Sequence, residues 1–278
     1  MCRMFFISSK KIIPTQKLLD YLIESEKSLV KQSQFNKNRL QKDGWGFGYI
    51  KGEKIEIFKS INPIYQELNL IKNKIQKIEN NFFIVHARKA SNPKKIEFNK
   101  LISYENTQPF SISDIIFTHN GTLNIVDEIY ENLGKYKKFV KGINDSEVLF
   151  WHVIKNIDAY GDIKQAILAA RREIHTVWIS VKKEYRQFDE PYTGLNIFLT
   201  NSEKFYALCD FKLKKETFSI MTENWEYGNY ALRFNKDEFT ISSEPLDKGK
   251  WEKVPHNSII EFDIKKFKYN IKNAGELL

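Results

Sequence analysis

Cysteine is scarce in this chain of 278 residues, which contains only Cys2 and Cys209. Two cysteines are too few for a disulfide-rich secreted framework, and such a pair is more often two free thiols in a reducing compartment. Cys209 ends the apolar run at 205–209, so we expect it to be a packed core thiol. The five histidines are scattered without the spacing of metal ligands, so no metal site is expected.

Long apolar runs are also missing. No stretch approaches the ~18 consecutive apolar residues of a membrane helix. The apolar stretch at 4–7 is far too short for a signal peptide. These features predict a cytoplasmic protein without a membrane partner.

The charge balance is basic, with a net charge of +9 at neutral pH. Lysine provides most of this charge and is spread along the chain together with glutamate, and no nucleic-acid-binding motif accompanies it. We therefore expect no specific nucleic-acid partner. Because 42% of the residues are hydrophobic, the chain can bury a substantial core and disorder is not expected.

Hydrophobic periodicity predicts an α+β protein in which helices cover mainly antiparallel sheets, as a single domain over residues 1–278. No internal repeat or flexible linker interrupts the chain. Strands are predicted at 3–8, 44–50, 54–59, 81–85, 113–118, 176–181, 195–200, 205–210, 230–234, 238–242 and 258–262. Helices are predicted at about 15–34, 63–78, 123–132, 146–157 and 162–174.

The second residue offers a chemical hypothesis. If an aminopeptidase removes Met1, Cys2 becomes the N-terminus and carries a thiol beside a free α-amine. The amine has a pKa of roughly 7.7–8.0, so a useful fraction is neutral near pH 7 and can accept the thiol proton. One residue then supplies both the nucleophile and its base.

An ordered set of motifs accompanies Cys2. They are Gly-Trp-Gly-Phe-Gly-Tyr at 44–49, His-Ala-Arg at 86–88, Asn-Thr-Gln-Pro-Phe at 106–110, Thr-His-Asn-Gly at 118–121, Asn-Asp-Ser-Glu at 144–147 and Ser-Glu-Pro-Leu at 243–246. Together these motifs resemble the class II glutamine amidotransferase domain, an N-terminal-nucleophile (Ntn) hydrolase family, in its stand-alone form. The resemblance implies a four-layer αββα sandwich of two antiparallel sheets.

The resemblance also implies a role for each matched residue. Cys2 attacks the side-chain amide of glutamine and forms a γ-glutamyl thioester, which releases ammonia. Asn120 and the backbone of Gly121 form the oxyanion hole. Arg88 binds the α-carboxylate of the substrate with a bidentate fork, and Asp145 pairs with its α-ammonium group. No cofactor is implied.

Each of these residues also has a simpler structural interpretation. Arg88 suits a surface ion pair, Asn120 and Gly121 suit a hairpin turn, and 144–147 has the pattern of a helix cap. His86 and His119 are interpreted as structural. Gln108 is a departure, since family members often have histidine at that position, and it bears on substrate preference.

Three functional hypotheses remain open. The chain is a glutaminase that passes ammonia to a separate synthase subunit, or it hydrolyses a γ-glutamyl amide or peptide without a partner. In the third, it is a catalytically silent binding protein on the same fold. In the first two, the partner is a small-molecule amino-acid amide.

Overall fold

The strands alternate with helices in an order that builds two sheets. The computed structural model describes residues 2–37, 39–52, 54–212, 221–223, 225–226 and 228–275, so Met1 and its predicted removal lie outside the described residues. The described strands are β1 (Arg3–Ser9), β2 (Trp45–Lys51), β3 (Lys54–Ser60), β4 (Phe82–Ala87), β5 (Phe110–Ile112), β6 (Ile115–Leu123), β7 (Tyr192–Thr200), β8 (Lys204–Cys209), β9 (Ala231–Phe234), β10 (Glu238–Ser242), β11 (Glu252–Lys253), β12 (Ser258–Asp263) and β13 (Lys268–Asn273). The described α-helices are α1 (Thr15–Leu19), α2 (Leu29–Gln34), α3 (Leu68–Ile75), α4 (Val126–Glu131), α5 (Asp145–Tyr160) and α6 (Ile163–Val181).

The two sheets are antiparallel throughout their described strand pairs. One has seven strands in the order β11-β9-β10-β1-β4-β2-β3, and the other has six in the order β13-β12-β8-β7-β6-β5. β1 is therefore central in the first sheet and is paired on both edges. β6 lies one strand from the edge of the second sheet.

Three buried hydrophobic clusters separate the layers. The middle cluster lies between the two sheets, where Phe6 stacks on Phe205 with ring centroids 3.9 Å apart. A second cluster packs the six-stranded sheet against α4, α5 and α6, and a third packs the seven-stranded sheet against α1, α2 and α3. The result is the expected four-layer αββα sandwich.

The central strand β1 shows how the sequence encodes these layers. Successive side chains of a strand point to opposite faces. Met4 and Phe6 belong to the cluster between the sheets, whereas Phe5 and Ile7 belong to the cluster beneath the helices. Because both faces are covered, the strand is apolar throughout, and its first residues are held firmly in the interior.

The predicted helix at 15–34 is two helices. After α1 the chain forms one π-helical segment (Asp20–Glu24), and Ser25 then adopts an extended conformation. The Ser28 hydroxyl caps α2 by accepting from the Lys31 amide, and the Ser25 hydroxyl donates to the Leu246 carbonyl. Serine side chains at this point bond to backbone groups outside the helix, which explains the break.

The predicted strand at 176–181 is wrong, because these residues continue α6. Their β-branched side chains favour a strand locally. However, Ile174, Val177, Trp178 and Val181 recur at helical spacing and pack on the cluster beneath the six-stranded sheet. Tertiary packing therefore outweighs the local preference.

Asn120 and Gly121 are not a turn either, since both lie inside β6, opposite Asn196 and Leu195 of β7. The reversal comes earlier, at Ser113, which has a positive φ of 51° between β5 and β6. The short strands β5, β11 and β13 were not predicted. In the described part of the chain, no helix is long and apolar enough to cross a bilayer.

Candidate active site

Cys2 lies at the start of β1, where the two sheets meet. Its backbone nitrogen donates to Oδ1 of Asn120 at 2.9 Å, which joins the seven-stranded sheet to β6 of the other sheet. Its Sγ lies 3.4 Å from the backbone nitrogen of Lys89 and 3.5 Å from the Lys89 carbonyl oxygen. The thiol therefore sits against the chain segment that follows β4.

The residues after Cys2 are anchored by the motif at 243–246. The buried Arg3 guanidinium binds the Glu244 carboxylate at 2.8 Å. Met4 exchanges two hydrogen bonds with Ser243, one from its amide to the hydroxyl at 3.0 Å and one from the Ser243 amide to its carbonyl at 2.9 Å. Breaking a buried ion pair is strongly destabilising, so Glu244 fixes the strand that presents Cys2.

Gly121 allows β6 to approach β7 closely. A Cβ at this position would lie 1.9 Å from the Gly194 carbonyl oxygen, so no larger residue fits. The same oxygen accepts from Nε2 of His119 at 3.0 Å. Nδ1 of His119 then accepts from the Ser146 hydroxyl at 2.9 Å, and burial lowers the pKa of His119 so that the ring is neutral.

Gln108 extends the hydrogen bonding of β6 with its side chain. Its amide nitrogen donates to the His119 carbonyl at 3.1 Å, and its amide oxygen accepts from the His119 backbone nitrogen at 2.6 Å. His86 lies within 3.2 Å of the same carbonyl through Nε2, and burial lowers its pKa to about 3. Gln108 and His86 thus both fix the His119 backbone, next to Asn120. For His86, this contact agrees with the structural interpretation.

Arg88 follows β4 and is nearly buried, not a surface residue as its simpler interpretation proposed. Its Nη1 donates to the backbone carbonyls of Leu101 at 2.8 Å and Asp43 at 3.1 Å, which fixes the plane of the guanidinium. Nε and Nη2 have no hydrogen-bond acceptor within the described residues. This edge of the guanidinium is the one available to a ligand carboxylate.

Asp145 is the first residue of α5. Asn144 caps the helix by accepting from the Glu147 amide at 2.7 Å, so the cap interpretation is correct. The Asp145 carboxylate accepts from the Ser91 hydroxyl at 2.9 Å and from the Leu123 amide at 2.8 Å. These contacts hold one negative charge at the helix N-terminus, where the helix dipole stabilises it.

The charged groups act on one another because they are shielded from water. Cys2, Arg88, Asn120 and Asp145 are 6%, 4%, 1% and 3% exposed. Burial raises the pKa of the Cys2 thiol, whereas the Lys89 amide and the Arg88 guanidinium oppose that rise. Burial also lowers the pKa of Arg88, against the effects of Cys2, Asp43 and Asp145. The thiol, guanidinium and carboxylate therefore share one electrostatic environment.

The structure thus brings together all five residues that the sequence analysis singled out. It adds three that were missed: the Lys89 backbone beside the thiol, Ser91 on Asp145, and Asp43, whose carboxylate accepts from the Ala90 amide at 2.8 Å. Backbone contacts leave no residue-type pattern, so only the proximity of Lys89 to the His-Ala-Arg motif could have indicated it. Over the described ranges, no three His, Cys, Asp or Glu side chains are arranged to hold a metal ion.

Comparison with solved structures gives the same fold. A glutamine aminotransferase class-II domain protein of Silicibacter pomeroyi superposes with a TM-score of 0.59 at 13% identity, covering 98% of this chain and 99% of that one. Glutamine phosphoribosylpyrophosphate amidotransferase of B. subtilis gives a TM-score of 0.64 at 15% identity, covering 98% of this chain and 49% of that one.

Sequence comparison supports a family assignment. An uncharacterized protein of Methanocaldococcus jannaschii is 25% identical over an alignment of 263 positions, which covers 84% of this chain and only 65% of that relative. The family profile described as glutamine amidotransferases class-II matches residues 22–262, which is most of the chain. The chain therefore belongs to the family of class-II glutamine amidotransferases.

Proposed function

We propose that this chain hydrolyses the side-chain amide of glutamine, or a γ-glutamyl amide, through a thioester on Cys2. The observation that carries the proposal is the contact of the Cys2 backbone nitrogen with Asn120, at 2.9 Å, beside a thiol that contacts the Lys89 backbone. Nucleophile, base and oxyanion donor are then adjacent. The proposal requires removal of Met1.

In the first step, the α-amine of the processed Cys2 takes the thiol proton. One of its N–H groups donates to Oδ1 of Asn120, which leaves the nitrogen lone pair for the proton. The thiolate attacks the amide carbon, and the Lys89 amide and Arg88 guanidinium stabilise its charge. The C–N bond then breaks, the ammonium group returns its proton to the leaving nitrogen, and ammonia departs.

The oxyanion of each tetrahedral intermediate is stabilised by Asn120 and Gly121. Because Oδ1 of Asn120 accepts from Cys2, its Nδ2 is the end of the amide that is left to donate. The Gly121 backbone N–H is the second donor. Such a preorganised donor lowers the barrier by about 3 kcal/mol. Water then hydrolyses the thioester and restores the thiol.

Arg88 and Asp145 recognise the amino-acid head group. The Nε–Nη2 edge of Arg88 binds the substrate α-carboxylate, since its Nη1 is taken by two carbonyls. The Asp145 carboxylate, fixed by Ser91 and Leu123, pairs with the α-ammonium group. The opposite charges of Arg88 and Asp145 orient the substrate with its amide toward Cys2.

The proposal also includes the domain organisation of the chain. We infer one domain over 1–278, because strands from both ends of the chain pair in the centre of a sheet, β1 with β10. Transfer of the ammonia to a separate synthase subunit also belongs to the proposal. A cytoplasmic location stays a prediction.

The decisive experiment combines N-terminal processing with turnover. Mass spectrometry of the native protein is expected to show loss of Met1 and one covalent adduct on Cys2 after incubation with a diazoketone analogue of glutamine. Ammonia release is then measured with glutamine and with γ-glutamyl amides of increasing size. Preference for glutamine favours ammonia transfer to a partner, and preference for a larger amide favours an independent hydrolase.

Two outcomes contradict the proposal. Complete retention of Met1 leaves an amide nitrogen in place of the base. A processed chain that releases no ammonia from any of these compounds, and is not labelled by the analogue, is a silent binding protein on this fold.

A further inference from the structure

A cavity lies apart from the residues proposed for catalysis. It has a volume of about 370 Å³ and opens between the edge strands β3 and β5, against α5. Its walls include five aromatic rings, two lysines and two glutamates. The residues concerned are Lys59, Tyr104, Glu105, Phe110, Phe139, Lys141, Glu147, Phe150 and Trp151. Cys2, Arg88, Asn120 and Asp145 do not line this cavity.

Lys59 is the distinctive group in this cavity. Its ammonium is half-buried and lies 5.1 Å from the ring centre of Tyr104 and 5.2 Å from that of Phe110. It makes no hydrogen bond or ion pair with any described residue. Burial lowers the pKa of Lys59 to about 8. Its direct partners among the described residues are ring faces, and the carboxylates of Glu147 and Glu105 act on it only from a distance, so the cation is incompletely compensated.

The acidic residues nearby do not neutralise Lys59 by direct contact. One oxygen of the buried Glu147 carboxylate accepts from the Lys141 amide at 2.9 Å, and the other accepts from the Gly142 amide at 2.6 Å. Glu105 is exposed at the rim. Lys141 brings a second ammonium to the cavity wall. The lining thus carries two ammonium groups and two carboxylates. Among the described residues, neither ammonium has a carboxylate in direct contact, so both are available to an anionic ligand.

We propose that this cavity binds a flat organic anion, a carboxylate or phosphate carried on an aromatic ring. The anionic group pairs with the ammonium of Lys59. The ring of the ligand packs against Tyr104 and Phe139, whose side chains are 54% and 40% exposed and have apolar faces to cover. The cavity volume accommodates a molecule between benzoate and a nucleoside monophosphate in size. This site is independent of the reaction proposed for Cys2.

The test is calorimetric titration with benzoate, adenosine monophosphate and inorganic phosphate. At least one ring-bearing anion is expected to bind saturably and more tightly than inorganic phosphate. Lys59→Gln is expected to weaken that binding by about 10-fold or more, since it removes the charged partner. Lys74→Gln is the matched control, because Lys74 also lies over a ring, that of Phe58 at 4.9 Å, but lines no part of this cavity.

A second measurement uses the unsubstituted protein. After reductive ¹³C-methylation, the Lys59 resonance is expected to titrate well below the other lysines and to move to higher pH when the anion binds. Failure of both ring-bearing anions to bind, or equal affinity in the Lys59→Gln and unsubstituted proteins, overturns the proposal. Because ammonia release is not measured, neither result depends on the Cys2 reaction.

Discussion

The two cysteines of this chain share burial but differ in their surroundings. Cys209 ends β8, is fully buried between the sheets and has its Sγ 3.9 Å from the Gly228 carbonyl. Burial raises its pKa to about 12. Cys2 is also buried, but its sulfur receives the Lys89 N–H and lies in the field of Arg88. Burial alone makes a thiol inert, and both thiols have a backbone donor, so the Arg88 guanidinium beside Cys2 distinguishes the two sites.

The largest expected difference between the two cysteines is the effect of their replacement on catalytic activity. Cys2→Ala is expected to reduce ammonia release at least ~10³-fold, because it removes the nucleophile. Cys209→Ala should leave the rate within about 3-fold and cost roughly 1 kcal/mol of stability, since it only opens a small cavity. Steady-state ammonia assays and thermal unfolding of both variants measure these effects. Equal loss of activity in the two variants would remove the distinction.

Alkylation should also distinguish the two thiols. At pH 7.5 we expect iodoacetamide to modify Cys2 roughly 100-fold faster than Cys209, because a backbone donor and the Arg88 guanidinium stabilise the Cys2 thiolate, whereas Cys209 has a backbone donor, Tyr230, and the negative charge of Asp210 nearby. A time course of peptide mass spectrometry on the native protein measures both rates. The guanidinium-unfolded chain is the control, and there the two rates should converge. Preferential labelling of Cys209 in the native protein contradicts the comparison.

A pair of asparagines tests the same difference between the regions around Cys2 and Cys209. Asn120 and Asn196 face each other across β6 and β7, but Asn120 binds Cys2 whereas Asn196 binds the Gly228 carbonyl and the Asp210 amide beside Cys209. Asn120→Ala should lower kcat/KM about 100-fold through loss of an oxyanion donor.

The matched variant Asn196→Ala should show the reverse pattern. It leaves two buried backbone groups unpaired, so we expect a loss of about 1–3 kcal/mol in unfolding free energy with kcat nearly unchanged. Denaturant unfolding gives the unfolding free energy of each variant, and steady-state kinetics give its kcat and kcat/KM. If both substitutions reduce stability alike and activity alike, the two regions do not have separate roles.

Acid sensitivity provides the last comparison. His86, beside the Cys2 site, is held neutral by burial, with its pKa lowered to about 3. An unfolded histidine has a pKa of about 6.5, so between these values the unfolded state binds one more proton and stability falls as pH falls, by at most ~1.4 kcal/mol per pH unit. Above this window the contribution is constant.

Replacement of His86 tests this linkage. Between pH 4 and 6, the wild-type chain takes up about one proton at His86 on unfolding. His86→Gln should remove this uptake and so reduce the pH slope of the unfolding free energy. His256→Gln, in the half-buried ring that contacts Phe211 near Cys209, should reduce the slope less. Urea unfolding at a series of pH values measures both slopes. An unchanged slope in His86→Gln would show that this ring is already protonated in the native state.

Much of the fold could be predicted from the sequence, for reasons visible in individual elements. The apolar run of β1 and the alternation of β3 gave the correct strands, and Asn144 correctly marked the start of α5. The strand predicted at 176–181 was wrong because β-branched residues favour strands locally, whereas their helical spacing matches a hydrophobic surface formed by distant strands. Asn120 and Gly121 looked like a turn because their pairing partners in β7, Asn196 and Leu195, lie far along the chain.

The candidate site was likewise predictable in part from the sequence. The order of residue types from Cys2 to Asp145 was sufficient to identify the family and to choose five candidate residues, because the chemistry that the resemblance implies needs particular functional groups. Their distances, the Lys89 backbone contact and the use of Gln108 to fix His119 were decided only by the tertiary structure. Residue types are local properties of a chain, whereas hydrogen bonds across 118 positions, such as that between Cys2 and Asn120, form only when two sheets pack together.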